Sequence, residues 1–234
     1  MNTRRAALTV AACAAVLSGV VGCSSGSGGL LQPPATPVPA DQVISVTGDA
    51  AQKASAVHVK GTITSSGSKI GLDIQLNKSS AAGTMTLGGA GAQLINANGA
   101  SYIQLSQALM QQGGIPPAAQ PVLLNKWINV DSPVFGGQMS DVKSFLDYST
   151  FIKGIFNNAT AGKLSSAGTS TVNGTAAFVY KDTDGSTAYV AQPQPHYLLR
   201  MVGPSSDPGT VDFTNWNQPV PVSPPPASEI YSGS

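Results

Sequence analysis

The chain of 234 residues carries 12 Lys and Arg against 11 Asp and Glu, and this balance gives no basic surface for a nucleic acid. It also lacks the cluster of basic residues that draws proteins to anionic lipid headgroups. Charged residues make up only 10% of the chain, where about 25% is typical, and 26 Gly and 17 Pro indicate frequent turns. The composition favours an exported, β-rich domain.

The N-terminal segment has the features of an export signal. Arg4 and Arg5 precede an apolar run from Ala6 to Val21, which is shorter than the roughly 20 residues that a membrane-spanning helix needs. Cys23 follows this run, and the segment resembles a bacterial lipobox, whose cysteine is joined to diacylglycerol and becomes the first mature residue. We therefore expect residues 1–22 to be a lipoprotein signal peptide, and Cys23 to anchor the protein to the extracytoplasmic face of the cell membrane.

Two alternatives bear on Cys23. Val20 and Val21 stand where the lipobox has Leu and then Ala or Ser. The alternative interpretation is an ordinary secreted protein in which Cys23 is incidental. Cys13 also follows small residues, but the apolar run before it is at the short limit for a signal. If cleavage precedes Cys23, no other cysteine remains in the mature chain for a disulfide, a zinc site or a nucleophile.

The rest of the chain divides by composition into three parts. Residues 23–39 are rich in Gly and Ser and then in Pro, which is typical of a flexible tether. Residues 40–218 are enough for one domain with a real core. Residues 219–234 form a Pro-rich tail that we expect to be exposed.

The first half of this domain predicts a helix followed by an antiparallel meander. Apolar residues recur at helical spacing over Asp41–Ala54, with Asp41 as the cap, and the period then changes to two. Strands with one apolar face are predicted at 57–64, 70–77, 83–87, 93–96 and 101–105. The last two are joined across Asn98-Gly99, a strong hairpin signal.

The second half predicts a longer helix and a second meander. Residues 107–138 look loop-like apart from a short strand at 126–130, and Ser140 caps a helix to Asn157 with one strongly apolar side. Further strands are predicted at 169–172, 175–181, 187–191, 197–202 and 211–216. The pattern predicts an α+β fold, in which helices pack on one face of a curved antiparallel sheet.

Little in the sequence indicates catalysis. No nucleophile elbow, zinc motif or phosphate loop is present, and residues 182–185 are typical of a turn rather than a calcium loop. We expect His58 and His196 to be solvated or hydrogen-bonded. Trp127 and Trp216 are more often packing residues than ligand-stacking ones. The sequence predicts no enzyme, no metal and no cofactor.

Several short segments resemble the LppX–LprAFG family of actinobacterial lipoproteins, which are related in fold to the LolA and LolB carriers. They are Lys126–Val130, Val172–Ala176, Thr187–Val190, Tyr197–Arg200, and Val211–Trp216 followed by Pro219–Val222. The resemblance implies a half-barrel whose concave face, roofed by helices, holds acyl chains.

The candidate cavity residues are the apolar side chains of two strands and of the helix expected above them. They are Ile70, Leu72, Ile74, Leu76, Met85 and Leu87 on the strands, and Phe145, Tyr148, Phe151, Ile152 and Ile155 on the helix. The alternative is that all of them fill a core.

Two functions follow from these alternatives. With a cavity, the protein binds or carries a lipid or lipoglycan in the cell envelope. With a filled core, it is a surface-tethered module that contacts an envelope protein or a cell-wall polymer.

Overall fold

One antiparallel sheet of eleven strands organises the part of the chain that the computed structural model describes, residues 35–65, 67–135, 139–157 and 163–233. These residues belong to one compact unit that begins at Ala35. The predicted signal peptide and Cys23 lie outside the described residues. Val38 lies in the segment predicted to be a tether, but it is buried, and its carbonyl accepts a hydrogen bond of 2.6 Å from the Tyr180 hydroxyl.

The chain forms two meanders of strands, and most of the helices lie between them in sequence. The strands are β1 (Ala56–Ser65), β2 (Ser68–Asn77), β3 (Ala81–Leu87), β4 (Ala90–Ala97), β5 (Ala100–Leu105), β6 (Ile128–Asn129), β7 (Ser165–Val172), β8 (Thr175–Lys181), β9 (Thr187–Ala191), β10 (Leu198–Val202) and β11 (Thr210–Thr214). The helices are α1 (Val43–Lys53), α2 (Gln107–Gln112), α3 (Gln120–Leu123), α4 (Ser140–Leu146) and α5 (Tyr148–Asn157), and short 3₁₀ turns span Pro133–Phe135 and Ala227–Glu229.

The sheet order is β6-β5-β4-β3-β2-β1-β11-β10-β9-β8-β7, so the first and last strands pair and unite the two meanders. Residues of α1, α4 and α5 share one apolar core with the inward side chains of the sheet. The predicted α+β fold class is therefore confirmed: the sheet is open and curled, with few helices.

Period two sets which side of each strand faces the helices. In the β1–β2 pair, Val59 lies opposite Ile74 and Val57 lies opposite Leu76, and all four side chains are buried. The predicted hairpin between β4 and β5 is also present. Asn98 and Gly99 both have positive φ, 53° and 78°, as a two-residue turn of the type favoured by Asn-Gly requires.

The helices differ from the prediction in three ways. The residue before α1 is Gln42 and no side chain caps this helix, so the predicted cap by Asp41 is wrong; a turn from Pro39 to Gln42 leads into the helix instead. The expected loop between residues 107 and 138 contains α2 and α3.

The third difference is that the predicted helix from Ser140 to Asn157 is two helices. The backbone is extended at Asp147, where α4 ends, and the Asp147 carboxylate accepts a hydrogen bond of 2.7 Å from the Thr150 amide. Such a bond satisfies one of the free N–H groups at a helix start. Hydrogen bonds from the Thr150 side chain and, after it, from the Thr150 amide lower the pKa of Asp147.

Adjacent strands approach unusually closely at two inward-facing glycines. A Cβ atom at Gly83 would overlap the Asp73 carbonyl oxygen and lie 2.6 Å from the Ile74 Cα atom. A Cβ atom at Gly61 would likewise overlap the Thr210 carbonyl oxygen. Because only glycine lacks this atom, these positions permit the strong curl of the sheet.

The C-terminal segment is tied to the sheet by its backbone, although most of its side chains are exposed. The Asn77 side chain donates to the Val220 carbonyl (2.7 Å) and accepts from the Val220 amide (3.2 Å). Further along, Trp127 exchanges backbone hydrogen bonds with Glu229 and Tyr231 beside β6. The segment therefore covers one edge of the sheet.

Substituting Gly83 tests the close approach of β2 and β3. We expect Gly83→Ala to lower the free energy of unfolding by about 1–3 kcal/mol, because the added methyl group must displace the neighbouring backbone. Gly91→Ala is the control, since a Cβ atom there would meet nothing nearer than 3.9 Å. Urea denaturation followed by tryptophan fluorescence measures both variants, and equal stabilities would contradict the proposed role of Gly83.

Candidate ligand-binding cavities

The centre of the concave face is filled by side chains. Ile74 and Leu76 from β2 and Tyr148 and Ile152 from α5 are all buried within one cluster. The Tyr148 hydroxyl donates a hydrogen bond of 2.6 Å to the Ala51 carbonyl on α1, and burial raises the pKa of Tyr148 to about 12. These four candidate residues therefore form a closed core between the sheet, α1 and α5.

A first cavity opens beside this core, and we call it the α5 groove. It has a volume of about 360 Å³ and lies between the two helices α4 and α5 and the strands β1, β2, β10 and β11. Four of the candidate residues line it: Leu72, Phe145, Phe151 and Ile155. Other apolar side chains complete its wall: Ile63, Met201, Val202, Val211 and Phe213.

A second cavity, the α1 groove, adjoins the first on the other side of α5. Its volume is about 240 Å³, and α1 forms one wall through Val43 and Ile44. Ile155, Met201 and Val202 line both grooves, so the two cavities meet at these side chains.

A third cavity, the β3–β5 pocket, lies under the N-terminal meander and holds about 500 Å³. The candidates Met85 and Leu87 line it, together with apolar residues from β5, α2, α4 and the segments between them: Ile103, Leu105, Leu109, Ile115, Phe135, Met139 and Val142. Met85 lies opposite Leu72 in the register of β2 and β3, and Leu72 lines the α5 groove. The β3–β5 pocket and the α5 groove therefore lie on either side of the boundary between β2 and β3.

The remaining candidate, Ile70, is half-buried against the core and lines none of these cavities. Leu87 is 38% exposed at the edge of its pocket. The sequence missed the walls contributed by α1 and α2, because the segment of α2 was predicted as a loop and no local pattern indicates which strands α1 covers. Helical periodicity does indicate Val43 as an inward residue, but not which strands it covers.

Carboxylates stand at the open rim of the two grooves. Asp184 lines both grooves, Asp182 lines the α1 groove and Asp207 lines the α5 groove. The Asp184 carboxylate accepts hydrogen bonds from the Ser186 hydroxyl (2.5 Å) and amide (2.7 Å), which lower the pKa of Asp184. Among the residues that the structure describes, no Lys, Arg or His side chain lines either groove.

The other charged groups near the centre of the sheet lie on its outward face, because those on β1 alternate with the buried residues of that strand. Asp73 contacts both Lys60 (2.8 Å) and His58 (2.7 Å), which confirms the hydrogen-bonded role expected for His58. Asp212 accepts two hydrogen bonds from the Arg200 guanidinium, one of 2.7 Å, and this contact lowers the pKa of Asp212. These groups stabilise strand pairing and do not reach the cavities.

The other aromatic candidates pack as expected. Trp127 is buried, and the Trp216 indole N–H donates to the Leu198 carbonyl at 3.0 Å while its ring stacks on Tyr197. His196 lies in the turn before β10 rather than in a strand, and its Nδ1 atom is 2.9 Å from the Ala191 carbonyl oxygen.

Within the described ranges, no three His, Cys, Asp or Glu side chains are grouped so that they could hold a metal ion. None of the helices described there is long and apolar enough to cross a membrane.

Comparison with known proteins defines the class of fold. No protein-family model matches the chain, and no curated protein matches it. The crystal structure of LprF from Mycobacterium bovis is similar with a TM-score of 0.55, covering 80% of this chain and 96% of that one at 14% sequence identity. An uncharacterized conserved protein from Thermus thermophilus covers 82% of the chain at 7% identity, with 96% of its own length matched and a TM-score of only 0.38.

The protein thus has a half-barrel α+β fold in which helices roof a curled antiparallel sheet. More particularly, its fold is of the LppX/LprF type, as the sequence resemblance implied. At 14% identity the similarity defines the fold, and the cavities described above are features of this chain.

The Arg200–Asp212 pair predicts an acid-dependent loss of stability. Because the pKa of Asp212 is lower in the folded protein, its contribution is present above the unfolded pKa near 4 and is lost as pH falls towards the folded value. We expect Asp212→Asn to destabilise the protein at pH 7, and the difference from the parent to shrink at pH 3. Urea unfolding at the two pH values measures this effect. Asp49→Asn, on an exposed residue of α1, is the control; a pH-independent difference for Asp212→Asn would contradict the prediction.

Proposed function

We propose that this protein is a membrane-anchored lipoprotein of the cell envelope that binds or carries a lipid or lipoglycan between its sheet and its helices, without catalysis. The observation that carries this proposal is the pair of adjoining grooves along α5. Most of their lining side chains are apolar, and exposed carboxylates line them where they reach solvent.

The chemistry of the walls suits alkyl chains. Each methylene group moved from water into such a groove contributes about 0.8 kcal/mol, so even part of an acyl chain binds without hydrogen bonds to it. The α5 groove and the β3–β5 pocket have volumes of about 360 and 500 Å³, within the roughly 300–1,000 Å³ common for small-molecule sites. No chemical step is needed, because uptake and release of a lipid are binding equilibria.

The proposed anchor gives the cavity access to lipids. Cys23 and the preceding residues 1–22 form the proposed lipidation signal, and the tether is the segment from Cys23 to the folded unit, which begins at Ala35. A diacylglyceryl group on Cys23 would hold the grooves close to a membrane surface, where free lipids are found. An envelope protein that delivers or receives the lipid is a natural partner in such a role.

The alternative function is a surface-tethered module that contacts a protein or a cell-wall polymer through its exterior. This function needs no cavity, and the closed core around Tyr148 is compatible with it. The two functions differ in one measurable property, the presence of lipid in the purified protein.

Lipid binding is tested by native mass spectrometry of the protein made in an actinobacterial host. We expect co-purified lipid with the parent protein and at least a tenfold loss with Ile155→Asp, because Ile155 lines both grooves and a carboxylate there opposes an alkyl chain. Val122→Asp is the matched control, since Val122 is an exposed apolar residue that lines neither groove. Circular dichroism establishes that both variants fold. A parent protein that carries no lipid would support the interaction module instead.

Anchoring is tested separately by substituting Cys23. We expect Cys23→Ser to abolish incorporation of labelled fatty acid and to move most of the protein from the membrane to the soluble fraction. Cys13→Ser is the matched control and should change neither property, because Cys13 lies within the segment proposed to be removed. Continued labelling and membrane retention of the Cys23→Ser protein would show that the anchor is elsewhere.

A further inference from the structure

The rim of the two grooves has charge of a single sign. Asp184, on the turn between β8 and β9, lines both grooves, and Asp207, on the turn between β10 and β11, lines the α5 groove from its opposite side. Both side chains are exposed, whereas the apolar lining residues extend inward from them. The carboxylates therefore lie where the polar end of a bound amphiphile would be left in water.

The rim carboxylates are not neutralised by groove residues. The Asp207 side chain has no hydrogen-bond or ion-pair partner among the residues that the structure describes. Asp184 is bound by Ser186, which favours its ionised form, and Lys163 acts on it from outside both grooves. The third carboxylate, Asp182, lines the α1 groove. Within the described part of the chain, three carboxylates thus stand at the grooves, and Lys163 acts on one of them, Asp184.

We infer that the grooves select a lipid whose polar end carries an ammonium group, and that Asp184 and Asp207 are the residues that determine this selectivity. The inference rests on the proposed lipid-binding function and adds the charge of the ligand to it. The apolar walls bind an alkyl chain whatever its headgroup. Between two ligands with alkyl chains of equal length, the charge at the rim therefore determines which one binds more tightly. An anionic headgroup would meet two carboxylates in the α5 groove, and no described cation lines that groove to offset them.

The selectivity should be moderate and dependent on salt. Exposed charges interact through water, and at 0.1 M salt their attraction is largely screened beyond about 10 Å. We therefore expect a difference of a few-fold at low ionic strength, which decreases as salt is added.

The experiment compares three ligands with the same twelve-carbon chain: dodecylamine, dodecanol and dodecanoate. Their dissociation constants are measured at pH 7 and low salt, below the concentrations at which they aggregate, by displacement of an uncharged fluorescent alkyl probe. The full-length parent protein is compared with the double variant Asp184→Asn/Asp207→Asn. The control Asp41→Asn/Asp49→Asn removes the same charge from exposed residues in and before α1 that line neither groove.

We expect dodecylamine to bind the parent at least threefold more tightly than dodecanoate, with dodecanol between them. The rim variant should bind all three within about twofold of one another, and the control variant should keep the preference of the parent. Equal binding of amine and carboxylate by the parent, or an unchanged preference in the rim variant, would overturn the inference and leave lipid binding intact. If none of the three ligands binds, the proposed lipid-binding function fails, and the selectivity fails with it.

Discussion

The pairing of β1 with β11 is the interaction on which the whole molecule depends. These strands come from opposite ends of the folded unit, and their contact joins two meanders into one sheet. Without this pairing each meander would present an apolar face too narrow to enclose anything. With it, a concave surface forms that is wider than α4 and α5 can cover. Val59 and Phe213 lie opposite each other at this joint and are both buried, so the joint is also the floor of the core.

Where that surface is filled and where it is open follows from side-chain size. Large residues meet above the middle of β2, where Tyr148 and Ile152 pack onto Ile74 and Leu76. The α5 groove stays unfilled towards the turns that carry Asp184 and Asp207. Gly203 and Gly209, which have no side chains to fill it, line this end. A sheet that curls at Gly61 and Gly83 cannot be followed by straight helices along its whole length, so the gap beside the core is a consequence of its shape.

Charge is divided between the two faces of the sheet. On the outward face the central carboxylates are paired with cations: Asp73 with Lys60, and Asp212 with Arg200. On the helix side, the carboxylates at the groove rim face apolar walls, and no described cation lines those walls. The carboxylates of this chain therefore stand in two different settings: paired with cations on the outward face, and without a described lining cation at the rim.

Local patterns determined much of this structure from the sequence alone. Period-two alternation predicted the strands of the first meander, because it reflects which side of a strand is buried and needs no knowledge of the partner strand. In the second meander β7 is exposed along most of its length and shows no such alternation, and only its last four residues were predicted as a strand. Asn98-Gly99 specified its hairpin for an equally local reason, the positive φ of both residues. The export signal and the lipidation of Cys23 stay predictions from the sequence, because these residues lie outside the part of the chain that the structure describes. Helix boundaries were less secure: Asp147 caps α5 and interrupts a helix that apolar periodicity predicts to be continuous.

Only the tertiary structure decided which of the eleven candidate residues fill the core and which line a cavity. Leu72 and Ile74 are alternate inward residues of one strand, with the same local pattern, and both are buried in the core, yet of the two only Leu72 also lines a groove. The difference lies in what α4 and α5 place above each of them. A cavity is volume that distant elements fail to fill, and no local pattern encodes it. The rim has the same origin, since Asp184 and Asp207 stand on turns far apart in sequence and meet at one opening through the order of the strands.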